Sequence, residues 1–482
     1  MKLPALTQTQ FLSAHDVVSI VNQLGAAATL AVLACATPAA AQTAPDFLLH
    51  GVPTGPAQSG SITLSLEDAI ARGLQANLAL IQQQGRATHA DADQASALSS
   101  LLPTVHGQLS AVRQKVSLAA FGFTGFPGLE LAPTVGPFNV VDARVSVGGA
   151  LLDLSAAASL TEKNANVRAE THASGYTRLQ VAFAVALLYN QSLAADSRLL
   201  AVKTQAATAE ALDRLAQDQK AAGLVAGIDV LRQDLLVEAA KQRVVMASND
   251  ADKARLRVAR AIGLPLGQMF SLTGELSYRP GPMLTVDAAV AEAYAQREDL
   301  KSADERTKAA DAAVRAARLS RMPTIHFEAA YGKIGNAVSD VLATYSAAAV
   351  LRVPLFDGRE AHARTLRTTA DFTARKADTD DQRAGVYYDV RSALLDMDAA
   401  DAAVRIASHG RDLANLQLTQ ARDRFAAGVA NTIELAQAQE SVATADDNYI
   451  ATLFSHVVAK ATLARALGTP EAALFQLFGG HK

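Results

Sequence analysis

The sequence contains the same unit twice, and this duplication constrains the fold more than any other feature. Residues 64–69 (LSLEDA) match residues 284–289 (LTVDAA), and residues 102–106 (LPTVH) match residues 322–326 (MPTIH), both at an offset of 220 residues. Two separate matches at one offset are hard to obtain by chance. The two halves are therefore predicted to share one architecture, which replaces the roughly three domains that the chain length alone would suggest.

The later part of each half matches at a slightly shorter offset. Residues 216–223 (AQDQKAAG) match residues 421–428 (ARDRFAAG) at 205 residues. Between the early and late blocks, residues 151–153 (LLD) match residues 355–357 (LFD). Each half is thus ordered in the same way from end to end.

Each half is predicted to begin with one helix, over about 66–101 and 286–321. A hydroxyl side chain with an acidic residue in the following turn is typical of a helix N-terminus, and Ser65 and Thr285 occupy that position. A proline then ends each helix, at Pro103 and Pro323.

Two short segments of period-two alternation follow in each half. In the clearest of them, Ile325, Phe327 and Tyr331 alternate with His326 and Glu328. One apolar and one polar face at a period of two predicts a strand. The same reading elsewhere gives four strands of about 10 residues in all.

A long proline-free segment then predicts a very long helix in each half, over about 155–222 and 359–427. At 1.5 Å per residue, such helices extend roughly 100 Å. A glycine interrupts each one and a second helix returns, so each half is predicted to contain an antiparallel helical hairpin. In the last helix, apolar residues at spacings of three and four predict a packing seam: Ile450, Leu453, Val457, Ala464 and Leu467.

Composition and charge exclude several classes of function. Lys plus Arg number 44 against 47 Asp plus Glu, without a clustered basic face, so no nucleic-acid partner is expected. The single cysteine, Cys35, excludes a disulfide framework and a multi-thiolate metal site. The body of the chain has no uninterrupted apolar run of about 20 residues, which argues against a polytopic helical membrane protein.

The N-terminus has the pattern of an export signal. Residues 25–36 form an apolar core, and the small residues 39–41 (AAA) follow it. This pattern predicts a cleavable signal peptide over 1–41. An alternative is a lipoprotein signal that ends before Cys35, which would then become a lipidated N-terminus.

Four strands cannot close a membrane barrel alone, because a spanning barrel needs at least eight strands and every backbone group in lipid must be bonded. Other chains must therefore complete the sheet. Three copies would supply twelve strands, with the apolar faces towards lipid and the polar faces towards a wet lumen. The alternative is that the strands cover a soluble core.

The sequence resembles the outer membrane factor (TolC-like) family. The resemblance rests on the order of the elements, the duplication, the segment VPLFDGR at 353–359, and the tip RFAAG at 424–428 followed by IEL at 433–435. It covers about residues 60–475. It implies a mainly α-helical homotrimer, with a 12-strand barrel in the outer membrane and a coiled-coil tunnel of helices in the periplasm. It also implies the family's partners, which are a periplasmic adaptor protein, an inner-membrane transporter and outer-membrane lipid.

The resemblance further implies three groups of functional residues. The periplasmic constriction is placed at Glu434, Gln437 and Asp229. The hairpin tips that dock the adaptor are placed at Gly223, Arg424, Phe425 and Gly428. The segment that closes the barrel is placed at Pro354, Leu355, Phe356, Asp357 and Gly358.

A ring of Glu434 carboxylates would favour cations in a narrow throat. Because Gln437 is neutral, that preference is expected to be weaker than with two acids. The alternative is that Glu434 is simply a solvated helix position.

No special functional role is expected for the remaining candidate features. His106 and His326 occupy matched positions on the polar strand faces, and lumen lining is preferred over a metal ring or pH gate. The segments 121–137 and 333–343 are predicted to be external loops. No catalytic motif is present in the sequence, so no enzymatic activity and no cofactor are expected.

The preferred function is a passive outer-membrane exit channel of a tripartite efflux system. The alternatives are a type I secretion duct with the same fold and a periplasmic coiled-coil scaffold without a pore. The predicted organisation is a signal peptide (1–41), a linker (42–61), a first repeat (62–265), a connector (266–281), a second repeat (282–470) and a tail (471–482).

Overall fold

The structure is a computed structural model, and it describes residues 49–57, 59–122, 132–282, 284–429 and 431–470. All of them belong to one compact unit, Pro45–Lys482. The predicted signal peptide with Cys35, the first residues of the linker and the tail over 471–482 lie outside the described residues.

The order of helices and long strands is the same in the two halves, as the duplication predicts. The first half contains β1 (Ile62–Leu64), α1 (Leu66–Ala76), α2 (Leu78–Ser99), β2 (Thr104–Ser117), β3 (Thr134–Leu152), α3 (Leu154–Ala221) and α4 (Gly227–Ala261). The connector contains β4 (Phe270–Leu272), and the second half contains α5 (Val286–Gln296), α6 (Glu298–Leu319), β5 (Thr324–Ala337), β6 (Asp340–Arg352), α7 (Glu360–Ala426) and α8 (Thr432–Leu467).

The prediction of one continuous helix at the start of each half is wrong, because each is two helices joined by a single extended residue. In the first half that residue is Asn77, whose side-chain oxygen accepts a hydrogen bond from the amide of Ala79 at 2.9 Å. The amide of Leu78 bonds instead to the carbonyl of His50 at 2.9 Å. A tertiary hydrogen bond thus replaces a helical one at Asn77. No Gly or Pro stands at this position to indicate the break in the sequence.

The second half breaks at Arg297, which has φ −62° and ψ 115°. Its guanidinium bonds to Asp299 and Asp389 at 2.7 Å and 2.9 Å. Arg297 lies 220 residues after Asn77, so the break is duplicated although the residue type is not.

The predicted N-caps are confirmed. The hydroxyl of Ser65 accepts a hydrogen bond from the amide of Asp68 at 3.1 Å, and the Asp68 side chain reaches back to complete a capping box. The hydroxyl of Thr285 accepts one from the amide of Ala288 at 3.4 Å.

The four strands form one antiparallel sheet in the order β2-β3-β5-β6. They are 13 to 19 residues long, more than the predicted 10. The hairpin ladder continues until Ala337 pairs with Asp340, so most of the predicted loop 333–343 is strand. Strand β3 begins at Thr134 and so takes up the end of the other predicted loop, 121–137; residues 123–131 of that loop lie outside the described residues.

The sheet register confirms the predicted alternation. Val105 lies opposite Val147, Val147 opposite Ala329, and Ala329 opposite Ala347. Directly paired residues point to the same side of an antiparallel sheet. The predicted apolar residues of the four strands therefore form one face.

The long hairpins are confirmed as well. Helices α3 and α7 have 68 and 67 residues, and α4 and α8 return alongside them. The predicted seam of α8 is buried, with Ile450, Leu453, Val457, Ala464 and Leu467 all at most 8% exposed. Among the described residues, α8 is also the one helix long and apolar enough to cross a membrane, but most of that stretch is buried inside the protein. Helix α8 is therefore a core helix.

A small parallel sheet, absent from the sequence prediction, ties the connector back to the first half. Strand β4 lies within the connector and pairs with β1, with Ser271 opposite Thr63. The hydroxyl of Tyr189 in α3 donates a hydrogen bond to the carbonyl of Leu64 at 3.0 Å. The chain between the two halves is thereby fixed against α3.

Candidate functional site at the hairpin tips

The two hairpin tips have the same backbone geometry. Helix α3 ends before Gly223, which has φ 73°, and the amide of Leu224 bonds to the carbonyl of Gln219 at 2.9 Å. Helix α7 ends before Gly428, also at φ 73°, and the amide of Val429 bonds to the carbonyl of Arg424 at 3.0 Å. These are Schellman motifs, which require a left-handed residue and so favour glycine.

An apolar cluster supports the two tips from inside. It joins all four long helices, and its buried members are Leu212, Ala216, Val230, Ala421, Phe425, Leu435 and Ala438. The carbonyl of Phe425 accepts a hydrogen bond from the side-chain nitrogen of Gln219 at 3.1 Å, which links α7 to α3. The tips are therefore packed against each other.

The predicted docking residue Phe425 is only 1% exposed, so its ring belongs to this cluster and is not on the protein surface. The large apolar side chains that the tips do expose are Leu224 at 72% and Val429 at 67%. Sequence reasoning missed them, although each directly follows a tip glycine.

A hydrogen bond between Asp229 and Thr432 joins the first turns of α4 and α8. The hydroxyl of Thr432 donates to Asp229 at 2.6 Å, and Thr432 is buried. Arg232 lies 3.4 Å from the same carboxylate. Asp229, predicted as a constriction residue, therefore has two partners within its own chain.

Glu434 is paired as well. Its carboxylate lies 3.1 Å from the guanidinium of Arg424, and both side chains are about half exposed. The two predicted groups, constriction and docking tip, thus meet in one ion pair. This pairing opposes the charge that a ring of Glu434 carboxylates would carry.

Gln437 is exposed one turn further along α8. It lines a cleft of about 1260 Å³ between the four long helices, together with Glu440. Ion pairs cross this cleft from α3 and α4 to α8, with Arg198 lying 2.5 Å from Asp447 and Arg243 lying 3.4 Å from Glu440.

The segment predicted to close the barrel connects β6 to α7. Asp357 accepts hydrogen bonds from the amides of Arg359 at 3.1 Å and Ala361 at 3.0 Å, and so begins the helix. Leu355 and Phe356 are 93% and 89% exposed. The two neighbouring side chains form a small exposed apolar patch on this connection.

The two strand histidines do not come together within the chain. His106 lies opposite Ser146 and His326 opposite Ala150, so the two are separated along and across β3. Strand spacings place them roughly 16 Å apart, too far to share a metal. Among the described residues, no group of three or more His, Cys, Asp or Glu side chains could hold a metal ion.

A buried polar cluster holds the connector against α7 and α8. His456 is 1% exposed, and its ring nitrogen lies 2.8 Å from Asp401. The hydroxyl of Tyr278 lies 3.3 Å from the same carboxylate, and Lys460 donates to the carbonyl of Arg279 at 3.0 Å. Burial lowers the pKa of His456, and the hydrogen bond to Asp401 opposes that shift only in part.

Comparisons with known proteins agree with this geometry. Residues 289–469 match the family model described as outer membrane efflux protein. OpmQ, a pyoverdine export outer membrane protein of Pseudomonas aeruginosa, is 23% identical over 84% of this chain and 85% of its own length.

Solved channels share the fold. The Neisseria gonorrhoeae MtrE outer membrane channel has 18% identity and a TM-score of 0.71, covering 84% of this chain and 88% of its own. The Campylobacter jejuni CmeC outer membrane channel has 14% identity and a TM-score of 0.71, covering 86% and 90%.

The chain therefore has the fold of these outer-membrane channels, with long helical hairpins and a four-stranded antiparallel sheet. Over residues 289–469 the chain is similar to the outer membrane efflux protein family. By this similarity we expect the protein in the cell outer membrane, with the helical part in the periplasm.

Proposed function

We propose that three copies of this chain form the exit conduit of a tripartite export system. The observation that carries the proposal is the four-stranded sheet, in which β2 and β6 are edges with a partner on one side only among the described strands. An open edge cannot stay unpaired in lipid. Closure by three copies gives a twelve-strand barrel, a size that antiparallel membrane barrels adopt.

The periplasmic partners are proposed from the tips. Leu224 and Val429 stand exposed beside the two Schellman turns, at the ends of the hairpins far from the sheet. Exposed apolar side chains on rigid turns suit docking against the helices of an adaptor protein. We propose an inner-membrane transporter as the source of the energy for export.

Small-molecule export is favoured over type I protein secretion. Two relatives, the OpmQ proteins of Pseudomonas aeruginosa and Pseudomonas putida, are described as pyoverdine export proteins. By this similarity, the cargo of the present chain is a small secreted or toxic compound.

A deletion strain tests the proposed function. Loss of the protein should increase sensitivity to small toxic compounds or retain a secreted small molecule inside the cell, and the set of secreted proteins should not change. The double variant Leu224→Glu/Val429→Glu should fail to restore export while still reaching the outer membrane. A secretome that loses a protein, with unchanged small-molecule export, would instead support the type I secretion alternative.

A further inference from the structure

The two halves of the chain differ in charge where the helices meet the sheet. In the first half, residues 91–103 precede β2 and residues 149–163 surround the end of β3; they contain four acidic residues and one lysine, a net charge of −3. The matching residues 311–323 and 353–367 contain six arginines and three acidic residues, a net charge of +3 with histidine neutral. Equivalent places in the duplicated fold thus carry opposite charges.

Most of the arginines in the second half have no acidic partner. Arg315 lies 3.1 Å from Asp311, and Arg364 lies 2.8 Å from Glu360, so these two ion pairs use two of the three acids. The third acid, Asp357, accepts the backbone hydrogen bonds that begin α7. Within the part of the chain that the structure describes, four exposed arginines remain without an ion pair, and we call them the arginine rim: Arg318, Arg321, Arg359 and Arg367.

The sheet brings the arginine rim together. Strands β5 and β6 are antiparallel neighbours, and Ile325 at the start of β5 lies opposite Leu351 at the end of β6. The end of α6 and the start of α7 therefore lie beside each other at the same end of the strands, and the two helices also pack together. The first half has different residues at the positions that match the arginine rim, namely Leu98, Leu101, Ser155 and Lys163.

An apolar strip lies beside the arginine rim. Leu351 pairs with Ile325 on the apolar face of the sheet, and exposed apolar side chains continue along the connection to Leu355 and Phe356, which are 93% and 89% exposed. In the proposed barrel this face contacts the lipid tails, so the end of the strand lies near the headgroups. Apolar side chains beside unpaired basic groups suit this boundary between tails and anionic headgroups.

The backbone of Arg359 is a second indication that this side chain has a role. Arg359 has φ 72°, and in the described part of the chain it is the one residue other than glycine with a positive φ. A left-handed backbone is unfavourable for a residue with a side chain, so glycine would fit this turn more easily. Strain of this kind is concentrated at functional positions.

We propose that the arginine rim binds the phosphate groups of anionic phospholipids in the periplasmic leaflet of the outer membrane. Guanidinium groups form paired hydrogen bonds with phosphate oxygens, and Leu355 and Phe356 lie among the adjoining acyl chains. The proposal rests on the outer-membrane position of the proposed function, and it goes beyond it by assigning the class of lipid and the residues that bind it. The acidic segments of the first half repel the same headgroups, so each chain holds anionic lipid on one half only.

Native mass spectrometry of the full-length protein, delipidated in mild detergent, tests the proposal with phosphatidylglycerol or phosphatidylcholine as the added lipid. One basic residue near an anionic lipid surface contributes roughly fivefold to affinity, and we expect phosphatidylglycerol to bind at least that much more tightly than phosphatidylcholine. The quadruple variant Arg318→Gln/Arg321→Gln/Arg359→Gln/Arg367→Gln should lose this preference. Excess inorganic phosphate should not displace the bound lipid.

Two further variants separate lipid binding from folding. Arg257→Gln/Arg391→Gln/Arg405→Gln/Arg422→Gln is the matched control, because it removes the same charge from exposed arginines of the long helices, and it should keep the preference. Arg359→Gly should weaken phosphatidylglycerol binding without lowering Tm in detergent, because glycine adopts the left-handed backbone freely.

Three results would overturn the proposal while the proposed channel stands. The first is an unchanged lipid preference in the quadruple variant, and the second is displacement of the lipid by inorganic phosphate alone. The third is dissociation of the quadruple variant into single chains, which would show that a neighbouring copy covers the arginine rim. If the unmodified protein does not fractionate with outer membranes, the proposed function fails and this proposal fails with it.

Discussion

At the residue scale, the ion pair between Arg424 and Glu434 changes the expected selectivity of the tunnel end. Sequence reasoning placed an acid at Glu434 and a neutral residue at Gln437, which predicts a weak cation preference. The structure adds a positive partner 3.1 Å from the acid. An exposed pair of this kind contributes little to stability, but it cancels one charge in each copy.

Opposite charge variants should therefore shift ion selectivity in opposite directions. Glu434→Gln leaves Arg424 unpaired and should move the reversal potential towards anion preference. Arg424→Gln frees the carboxylate and should move it towards cation preference. Planar bilayer recordings under a salt gradient measure both. Unchanged reversal potentials in the two variants would show that neither residue lies near the conducting path.

The buried His456 makes the folding stability of the chain depend on pH. The pKa of His456 is lowered in the folded chain by burial. The unfolded chain, with a histidine pKa of about 6.5, thus binds the proton more readily. The stability associated with neutral His456 is present above about pH 6.5 and is lost as the pH falls below that value.

His456→Gln should remove part of this pH dependence. Thermal unfolding is compared at pH 7.5 and pH 5.0, and the difference in Tm should be smaller in the variant than in the original chain. His409→Gln, at an exposed position on α7, is the control and should keep the original difference. Equal pH dependence in all three proteins would contradict the assignment to His456.

At the element scale, the sequence correctly predicted those features of the helices and strands that nearby residues determine. The caps at Ser65 and Thr285, the strand alternation around Phe327 and the ends of the long hairpins all follow from nearby residues. The breaks at Asn77 and Arg297 could not be predicted, because tertiary hydrogen bonds and ion pairs impose them. The pairing of β1 with β4 joins segments about 200 residues apart and leaves no local pattern either.

The same distinction between local and tertiary determinants applies to the candidate site. The positions of the tip glycines follow from the repeat, but the inward direction of Phe425 and the partners of Asp229 and Glu434 follow from packing between four helices. A single side chain's direction at a helix end has no periodic signature in the sequence.

The end of α8 packs directly on the break between α5 and α6. Gly468 has φ 71°, and a side-chain carbon added there would lie 2.9 Å from the backbone of Arg297. The equivalent Gly263 would place that carbon 2.6 Å from the carbonyl oxygen of Val52, close to the other break. Both halves thus require a glycine at this position, because a side chain would clash with the neighbouring backbone.

Gly468→Ala should consequently destabilise the protein more than Gly428→Ala. Both alanines have a left-handed backbone, which costs about 1–2 kcal/mol. Only the first adds a backbone clash, since nothing lies within 4 Å of a carbon added at Gly428. Thermal unfolding in detergent should show a clearly lower Tm for Gly468→Ala. Equal values of Tm would mean that the helix end can move away from Arg297.

At the scale of the whole molecule, the described part of the chain leaves its main sheet open. Among the described strands, β2 and β6 are paired on one side only. These surfaces support the proposal that several copies of the chain assemble.

The most direct test of the central claim is a single-channel recording of the purified full-length protein in planar lipid bilayers. We expect discrete, stable conductance steps from a preparation that runs as a trimer in mild detergent and fractionates with outer membranes. A protein that osmotic shock releases as a soluble monomer, and that produces no conductance steps, would contradict the account and support a periplasmic scaffold.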